Sequence, residues 1–196
     1  SAIYGNLPLG SDESSKINIL SPYAQDKLAL ESYAKLAWNL YSVPSIGLRF
    51  FNVYGPRQDP KNPYSGVISI FIENILKNRE VIVYGGHQTR DFIYVQDVVD
   101  VLYRSMQHLE NSPTCNILNV GTGISTTINN LLKVISSKLN IKPKVKIEEL
   151  LEGDPELSMG SYDKFSSVLN INIDSFIKLE SGIENTINEI REKAIQ

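Results

Sequence analysis

Two side chains that can move protons, a tyrosine and a lysine, stand four residues apart in the run SPYAQDK at residues 21–27. Ser21 is a favourable helix N-cap and Pro22 a favourable first helical residue, so this run predicts the start of a helix. Tyr23 and Lys27 then share one helix face. A free phenol is a weak base at neutral pH, but a nearby cation stabilises the phenolate and lowers the pKa of the phenol. The pair is therefore a candidate for proton transfer, and the alternative is an ordinary solvated helix face.

Strands alternate with helices along most of the chain. Apolar residues at helical spacing predict a helix from Pro22 to about Tyr41, which would carry the tyrosine and the lysine. Short apolar runs between further helical segments indicate an α/β fold with mostly parallel strands. The strands are predicted at 46–51, 80–84, 90–95, 116–120 and 145–147, and the further helices at 67–77, 96–109, 126–139 and beyond Tyr162. Residues 1–4 are expected to end a strand, and residues 7–20 to form a polar loop.

The composition excludes several classes of protein. The 196 residues include 42% hydrophobic and 21% charged residues, which is enough for one substantial core. A net charge of -3 gives no electrostatic argument for nucleic-acid binding. No apolar run approaches the ~20 residues that a membrane span needs, so we expect no membrane partner. The single cysteine, Cys115, cannot form an internal disulfide, which fits a reducing compartment such as the cytoplasm.

Three further motifs follow the tyrosine and lysine in a fixed order. They are LRFFNVYGPRQ at 48–58, RDFIYV at 90–95 and NVGTG at 119–123. Together the four motifs resemble the second half of the extended short-chain dehydrogenase/reductase family, and the nearest branch is the nucleotide-sugar epimerases of the UDP-glucose 4-epimerase type. The resemblance runs from Ser1 to about Arg191. It implies the second half of a Rossmann-like parallel sheet together with a smaller α/β substrate-binding domain.

The resemblance also implies how the chain divides into domains. Residues 1–53 would be the C-terminal part of a Rossmann-like NAD domain whose N-terminal half is absent. Residues 54–87 would belong to the substrate domain, residues 88–112 would return to the NAD domain, and residues 113–196 would complete the substrate-binding domain. The family's glycine-rich pyrophosphate turn would then lie upstream of this sequence, so we interpret the chain as a fragment.

The GTG run at 121–123 has two interpretations. A glycine-rich turn between a strand and a helix can bind a pyrophosphate on its backbone amides. This run precedes a predicted helix but holds only two glycines. A tight strand-to-helix turn is therefore the favoured interpretation.

Four residues take catalytic or cofactor-binding roles by the resemblance, which implies NAD as the cofactor. Tyr23 is expected to be the general base that takes a proton from the sugar 4-hydroxyl while hydride passes from C4 to the nicotinamide. Lys27 is expected to bind the nicotinamide ribose. Phe51 is expected beside the cofactor, with an ordinary core position as the alternative. Ser1 lies one place from the expected catalytic serine or threonine and is carried as a candidate.

A second group of residues is implied to bind a UDP-sugar. Asn52 would hold the sugar nucleotide near its phosphates, and Tyr84 would approach the nucleobase. Arg90 matches the arginine that grips the diphosphate, because a guanidinium fork suits phosphate oxygens. The alternative is a surface pair between Arg90 and Asp91. No metal ligand is expected in the site.

The run EGDP at 152–155 resembles a late motif of the family. Asp154 matches the aspartate that binds the ribose, but Leu151 stands where the family has an arginine. Ser158 matches the position that sets the room around the 2-substituent of the sugar, with an ordinary loop serine as the alternative. Its small side chain, and the loop at 58–64, resemble the branch that acts on UDP-N-acetylhexosamines.

These motifs lead to one expected function and two alternatives. The expected function is that of an NAD-dependent UDP-hexose or UDP-N-acetylhexosamine 4-epimerase that works through a 4-keto sugar, as a homodimer built on the helix at 22–41. One alternative is a nucleotide-sugar 4,6-dehydratase, although the run SAIY at 1–4 lacks the Asp-Glu pair of that branch. The other is a non-catalytic sugar-nucleotide-binding module, which is the expectation for the fragment by itself.

Overall fold

The computed structural model describes residues 1–62 and 65–195, and these residues form helices and strands in alternation. The first half contains β1 (Leu7–Ser11), α1 (Pro22–Tyr41), β2 (Ser45–Phe50), β3 (Asn52–Tyr54), α2 (Val67–Leu76), β4 (Glu80–Tyr84) and β5 (Thr89–Tyr94). The second half contains α3 (Val95–Asn111), β6 (Cys115–Val120), β7 (Ser125–Thr127), α4 (Ile128–Leu139), β8 (Lys144–Glu148), β9 (Ser158–Gly160), α5 (Asp163–Leu169) and α6 (Leu179–Ile195). Short 3₁₀ turns occupy Ala2–Tyr4 and Ile173–Ser175.

Parallel pairing dominates the described strands. β2 pairs with β6, β4 with β8, β1 with β9 and β3 with β5, all in parallel. β5 also pairs with the short strand β7 in the antiparallel direction. The predicted α/β class with mostly parallel strands is confirmed, whereas the predicted domain boundaries stay a prediction.

Helix α1 has the bounds that the sequence predicts. The Ser21 hydroxyl accepts a hydrogen bond from the Ala24 amide at 3.2 Å, and Pro22 occupies the first turn, where its missing N–H costs nothing. The helix ends at Ser42, which takes a left-handed conformation. Ala24 is its one fully buried residue, so α1 lies on the body of the protein with most of its surface exposed.

The paired strands β2 and β6 separate two environments. Their apolar side chains, including Leu48 and Leu118, pack with α3 and α5 in one hydrophobic cluster. Alternate residues of a strand point to opposite faces of a sheet. Arg49 and Asn119 therefore share the other face, and they are register partners in the two strands. This second face lies towards α1.

Two local predictions near the start of the chain were wrong. Residues 7–11 form the strand β1 rather than part of a loop, because Leu7 pairs with Ser158, far away in sequence. Residues Ala2–Tyr4 form a 3₁₀ turn rather than the end of a strand. Among the described helices, none is both long and apolar enough to cross a membrane.

Candidate active site

Tyr23 and Lys27 lie side by side on the exposed face of α1. Tyr23 is 57% exposed, and Lys27 Nζ lies 5.0 Å from the centre of the tyrosine ring. This distance lies within the range of a cation–π attraction. Ala24, which is fully buried, fixes which face of the helix turns inward. The predicted sharing of one helix face is confirmed, and both polar ends are accessible to a bound molecule.

One turn beyond Lys27, the same helix is tied to the sheet through Glu31. Its carboxylate accepts two hydrogen bonds from Arg49, one from Nε and one from Nη2, each at 2.8 Å. The Arg49 side chain is 7% exposed and that of Glu31 15%. Neither residue was predicted to have a role in the site. The position of Glu31, one helical turn after the candidate catalytic Lys27, was the sequence feature that could have pointed to such a role.

Arg49 is itself held by a buried network. Its Nη1 donates to the Tyr4 hydroxyl and, at 3.1 Å, to the Glu13 carbonyl. Tyr4 in turn donates to Asn119 Oδ1 at 2.7 Å, and the backbone amide of Asn119 donates to the Glu13 carboxylate at 2.6 Å. Burial disfavours the charged guanidinium, yet the hydrogen bonds that Arg49 donates to Glu31 and Tyr4 raise the pKa of Arg49 above its ordinary value. Arg49 is therefore a fixed cation behind the candidate catalytic helix.

Arg90 and Asp154, both predicted substrate-binding residues, meet in the structure. Arg90 Nη2 lies 2.5 Å from Asp154 Oδ1, and Nη1 donates to the carbonyls of Thr89 and Pro155 at 2.8 and 2.7 Å. The Arg90 side chain is nearly buried, whereas that of Asp154 is 37% exposed. The guanidinium thus ties the segment after β8 to β5.

The alternative surface pair between Arg90 and Asp91 is wrong. Asp91 is fully buried, and its carboxylate accepts hydrogen bonds from the Thr122 amide, the Thr122 hydroxyl and the Gly123 amide at 2.7–3.0 Å. Burial raises the pKa of the Asp91 carboxyl above its ordinary value, although these hydrogen bonds favour the charged form. Neighbouring residues of a strand point to opposite faces, so Asp91 turns away from Arg90.

The turn at 121–123 is a tight strand-to-helix turn. Two of its amides, those of Thr122 and Gly123, already donate to Asp91, so they are not free to bind a phosphate. Gly121 allows the close approach, because an added Cβ there would lie 2.5 Å from Asp91 Oδ2. The favoured interpretation of the sequence therefore agrees with the geometry.

The predicted cofactor-side residues Phe51 and Ser1 lie near the end of β2. Phe51 is buried in a small cluster with Ile3, Tyr4 and Leu7, which is the core position that was the alternative in the sequence analysis. The Ser1 backbone nitrogen donates to the Phe50 carbonyl at 2.8 Å. The expected contacts of Phe51 and Ser1 with a cofactor or substrate stay predictions.

The remaining predicted substrate-binding residues lie at strand ends. Asn52 begins β3 and is half-buried, and Tyr84 ends β4, where its carbonyl accepts a hydrogen bond from Gln88 at 2.6 Å. Ser158 is buried in β9, so the alternative of an ordinary loop serine is wrong. Pro63 and Tyr64 of the predicted substrate loop lie outside the described residues.

Asp97 has a structural role at the start of α3. It lies in the first turn of α3, where a negative charge is favoured by the helix dipole. Its carboxylate also accepts a hydrogen bond from the Ile177 amide at 3.0 Å, which ties the segment before α6 to α3. Within the described ranges, His, Cys, Asp and Glu side chains form no group of three or more that could hold a metal ion.

The sequence matches one family model over most of its length. The model of the "NAD dependent epimerase/dehydratase family" matches residues 1–121. A protein of Methanocaldococcus jannaschii, provisionally named as a UDP-glucose 4-epimerase, is 41% identical over 157 residues. That alignment covers 78% of this chain and 49% of the relative. The UDP-glucose 4-epimerase of Mycolicibacterium smegmatis is 32% identical over 195 residues, which cover 98% of this chain and 60% of the relative.

A solved structure agrees with the sequence matches. The UDP-N-acetylglucosamine 4-epimerase of Methanobrevibacter ruminantium M1, in complex with UDP-N-acetylmuramic acid, superposes with a TM-score of 0.90 at 34% identity. The superposition covers 98% of this chain and 61% of that chain. The chain thus has the fold of the corresponding part of that enzyme, and it spans about half to three-fifths of the length of these relatives.

Proposed function

The chain belongs to the NAD dependent epimerase/dehydratase family, and from this premise we propose that it is the catalytic and substrate-binding part of a UDP-sugar 4-epimerase. The observation that supports this most directly is the pair of Tyr23 and Lys27 on one exposed helix face, with Lys27 Nζ 5.0 Å from the phenol ring. A phenol beside a cation is suited to accept and return a proton at an alcohol. The two relatives named as UDP-glucose 4-epimerases, and the solved UDP-N-acetylglucosamine 4-epimerase, favour this reaction class.

The described residues fit one part of the family's cofactor. The exposed hydroxyl of Tyr23 and the ammonium of Lys27 can contact a nicotinamide ribose, whereas the turn at 121–123 cannot hold a pyrophosphate, because Asp91 occupies its amides. NAD, when bound, accepts a hydride from C4 of the sugar and returns it. In the proposed reaction Tyr23 takes the proton of the 4-hydroxyl as the 4-keto sugar forms, and it gives a proton back when the sugar is reduced from its other face.

The substrate end of the proposed site lies around Arg90. Its guanidinium, held by Asp154, would face the diphosphate, while Asp154 would contact the uridine ribose. Asn52 and Tyr84 would hold the phosphates and the nucleobase. We propose a UDP-N-acetylhexosamine as the preferred substrate, because Ser158 is small and because the solved relative is a UDP-N-acetylglucosamine 4-epimerase.

A nucleotide-sugar 4,6-dehydratase is the second candidate within the same family. It would need an acid and a base for the loss of water across C5 and C6, in addition to the proton acceptor at C4. The turn Ala2–Tyr4, next to the expected position of those groups, carries no carboxylate. The epimerase is therefore the better supported proposal. The chain by itself is proposed to bind sugar nucleotides without turning them over.

The intact protein is proposed to be a homodimer built on α1. Three large apolar or aromatic side chains of this helix, Tyr33, Leu36 and Leu40, are each more than half exposed. Two copies of such a helix can bury these side chains against each other across a two-fold axis. Light scattering on the intact protein tests this proposal, and a monomer at micromolar concentration would contradict it. A cytoplasmic location stays a prediction. The free thiol of Cys115, which forms no disulfide, is compatible with it.

The reaction is tested on the intact protein with NAD and purified UDP-glucose or UDP-N-acetylglucosamine. We expect interconversion with the corresponding galacto sugar and no net change in NADH. Release of water with accumulation of a 4-keto-6-deoxy sugar would favour the dehydratase instead. A parallel measurement of NAD binding to the chain at residues 1–196, which we expect to be weak, tests whether the chain by itself lacks a pyrophosphate site.

A further inference from the structure

We propose that Glu31 and Arg49 are positioning residues for the Tyr23–Lys27 pair, so that turnover depends on an ion pair that touches neither substrate nor cofactor. The proposal rests on the proposed function, because it concerns how the same proton-transferring pair is held. Arg49 lies within the motif at 48–58, but the family resemblance assigned a catalytic, cofactor-binding or substrate-binding role to neither residue.

The first support is the sparse packing of α1. Of its 20 residues only Ala24 is fully buried, and Leu28, which packs against the cluster of Ile3, Tyr4, Leu7 and Phe51, is only partly buried. Packing that consists mostly of partly buried side chains leaves a helix some freedom to rotate about its axis or tilt. A second anchor further along the same helix removes that freedom, and Glu31 supplies a partly buried one.

The second support is the geometry of the anchor. Two parallel hydrogen bonds of 2.8 Å join the Arg49 fork to both oxygens of Glu31. Such a bidentate contact fixes direction as well as distance. Glu31 stands four residues after Lys27, which corresponds to a rise of about 6 Å along the helix. The ion pair therefore fixes the part of the helix that carries the lysine.

The third support is that Arg49 cannot follow α1 if the helix moves. It lies in register with Asn119 in the paired strands β2 and β6, and its Nη1 also binds Tyr4 and the Glu13 carbonyl. The guanidinium is thus held in place by residues outside α1, and the hydrogen bonds to Glu31 fix the position of the helix relative to the sheet. A catalytic group must be held to within about 0.5 Å by supporting residues whose own side chains are immobilised, and Arg49 is such a residue.

A purely stabilising role is the alternative, and the two roles make different predictions. A buried ion pair contributes little net stability compared with apolar residues of similar volume. If the pair only stabilised the fold, its loss would lower the melting temperature and leave the rate of the folded enzyme unchanged. If it positions α1, its loss lowers kcat, while the KM stays nearly constant, because we propose that the UDP-sugar is held mainly through its nucleotide part around Arg90.

The kinetic experiment uses the intact protein with Glu31→Gln and Arg49→Lys. Glu31→Gln removes the charge but keeps the shape, and Arg49→Lys keeps the charge but loses the fork. We expect a roughly 10- to 100-fold loss of kcat, the scale for a catalytic group misplaced by up to about 1 Å, with KM changed less than about 3-fold. The matched control is Glu184→Gln, which breaks the more exposed ion pair with Lys138 and should leave kcat unchanged.

A second measurement does not depend on activity. Hydrogen exchange of the 196-residue chain is compared with that of Glu31→Asp, which retains the carboxylate but shortens its reach by one methylene. We expect the amides from Ala24 to Glu31 to exchange at least about 10-fold faster, while those of α3 and α6 keep their rates. Faster exchange in all helices would show a global loss of stability and would overturn the positioning role.

The outcomes separate this proposal from the proposed function. If the unmodified intact protein does not interconvert UDP-sugars, or if Tyr23→Phe remains fully active, the proposed function fails, and exchange at α1 still decides whether Glu31 anchors the helix. If the unmodified protein is active and Tyr23→Phe is not, unchanged kcat in folded Glu31→Gln and Arg49→Lys overturns the positioning role. Unchanged exchange at α1 in Glu31→Asp does so as well.

Discussion

Arg90 Nη2 and Asp154 Oδ1 lie 2.5 Å apart, although 64 residues separate the two side chains in sequence. The guanidinium also binds the carbonyl of Pro155, so it is already satisfied on several sides before any ligand arrives. A diphosphate would therefore meet a cation of fixed direction and would not have to order a flexible side chain. The same contact holds the Asp154 carboxylate beside the Arg90 guanidinium.

We expect Arg90→Ala in the intact protein to weaken UDP-sugar binding by about 1.5–3 kcal/mol, the scale for a hydrogen bond to a charged group. The loss should include the release of Asp154, which then has no partner to hold it at the ribose. Isothermal titration calorimetry measures the change. Arg104→Ala, on the exposed face of α3, serves as the control and should bind as the unmodified protein does. An unchanged dissociation constant for Arg90→Ala would assign this arginine a structural role alone.

Tyr23→Phe removes the proposed proton acceptor and keeps the aromatic ring. In the intact protein we expect turnover to fall by roughly 100-fold or more, the contribution of a general base, with little change in substrate affinity. Tyr41→Phe is a matched control, because Tyr41 is an exposed tyrosine of the same helix to which no role is assigned. Steady-state kinetics on both variants decide the assignment, and turnover near normal in Tyr23→Phe would remove Tyr23 from the mechanism.

The parts of the molecule that local sequence determines could be predicted. The bounds of α1 follow from a serine cap, a proline and helical periodicity, and all three act within a few residues. The strand β1 could not be found in this way, because its partner Ser158 is 151 residues from Leu7, and the sequence around β1 contains a proline and a glycine. Pairing over that distance is a property of the whole fold.

The candidate site shows the same division. The spacing of Tyr23 and Lys27 was enough to place them on one face, because a helix repeats every 3.6 residues. The contact of Arg49 with Glu31 joins a strand to a helix, and sequence spacing alone does not specify such a contact. The alternative pairing of Arg90 with Asp91 could have been set aside from the sequence, since adjacent residues of a strand point to opposite faces.

Ser158→Tyr tests the proposed preference for an acetylated sugar. Ser158 is buried in β9 opposite Leu7, so a phenol at this position must occupy neighbouring space. We expect the intact variant to lose more activity on UDP-N-acetylglucosamine than on UDP-glucose, because a filled pocket rejects the larger substituent by steric clash. The ratio of kcat/KM for the two substrates is the measurement, and Ser167→Tyr on the exposed side of α5 is the control. Equal losses on both substrates would remove Ser158 from the specificity argument.

Asp91→Asn tests the carboxylate that closes the turn at 121–123. The amides of Thr122 and Gly123 point at this carboxylate, and the side-chain amide of asparagine cannot accept hydrogen bonds through both of its terminal atoms. One buried donor then loses its partner, so we expect the free energy of unfolding of the chain to fall by about 1–3 kcal/mol. Chemical denaturation followed by circular dichroism measures it.

The pH dependence of that loss has a definite sign. Burial raises the pKa of Asp91 in the folded chain above its ordinary value of 3.8. The folded state therefore binds a proton at the Asp91 carboxyl more tightly than the unfolded state does. The native chain therefore gains stability relative to Asp91→Asn as the pH falls through the raised pKa towards 3.8, and it loses that gain as the pH rises. The difference in unfolding free energy between the two proteins should be larger near pH 4 than at pH 7. A difference that shrinks on acidification would mean that the hydrogen bonds from Thr122 and Gly123 outweigh burial and hold the carboxyl in its charged form.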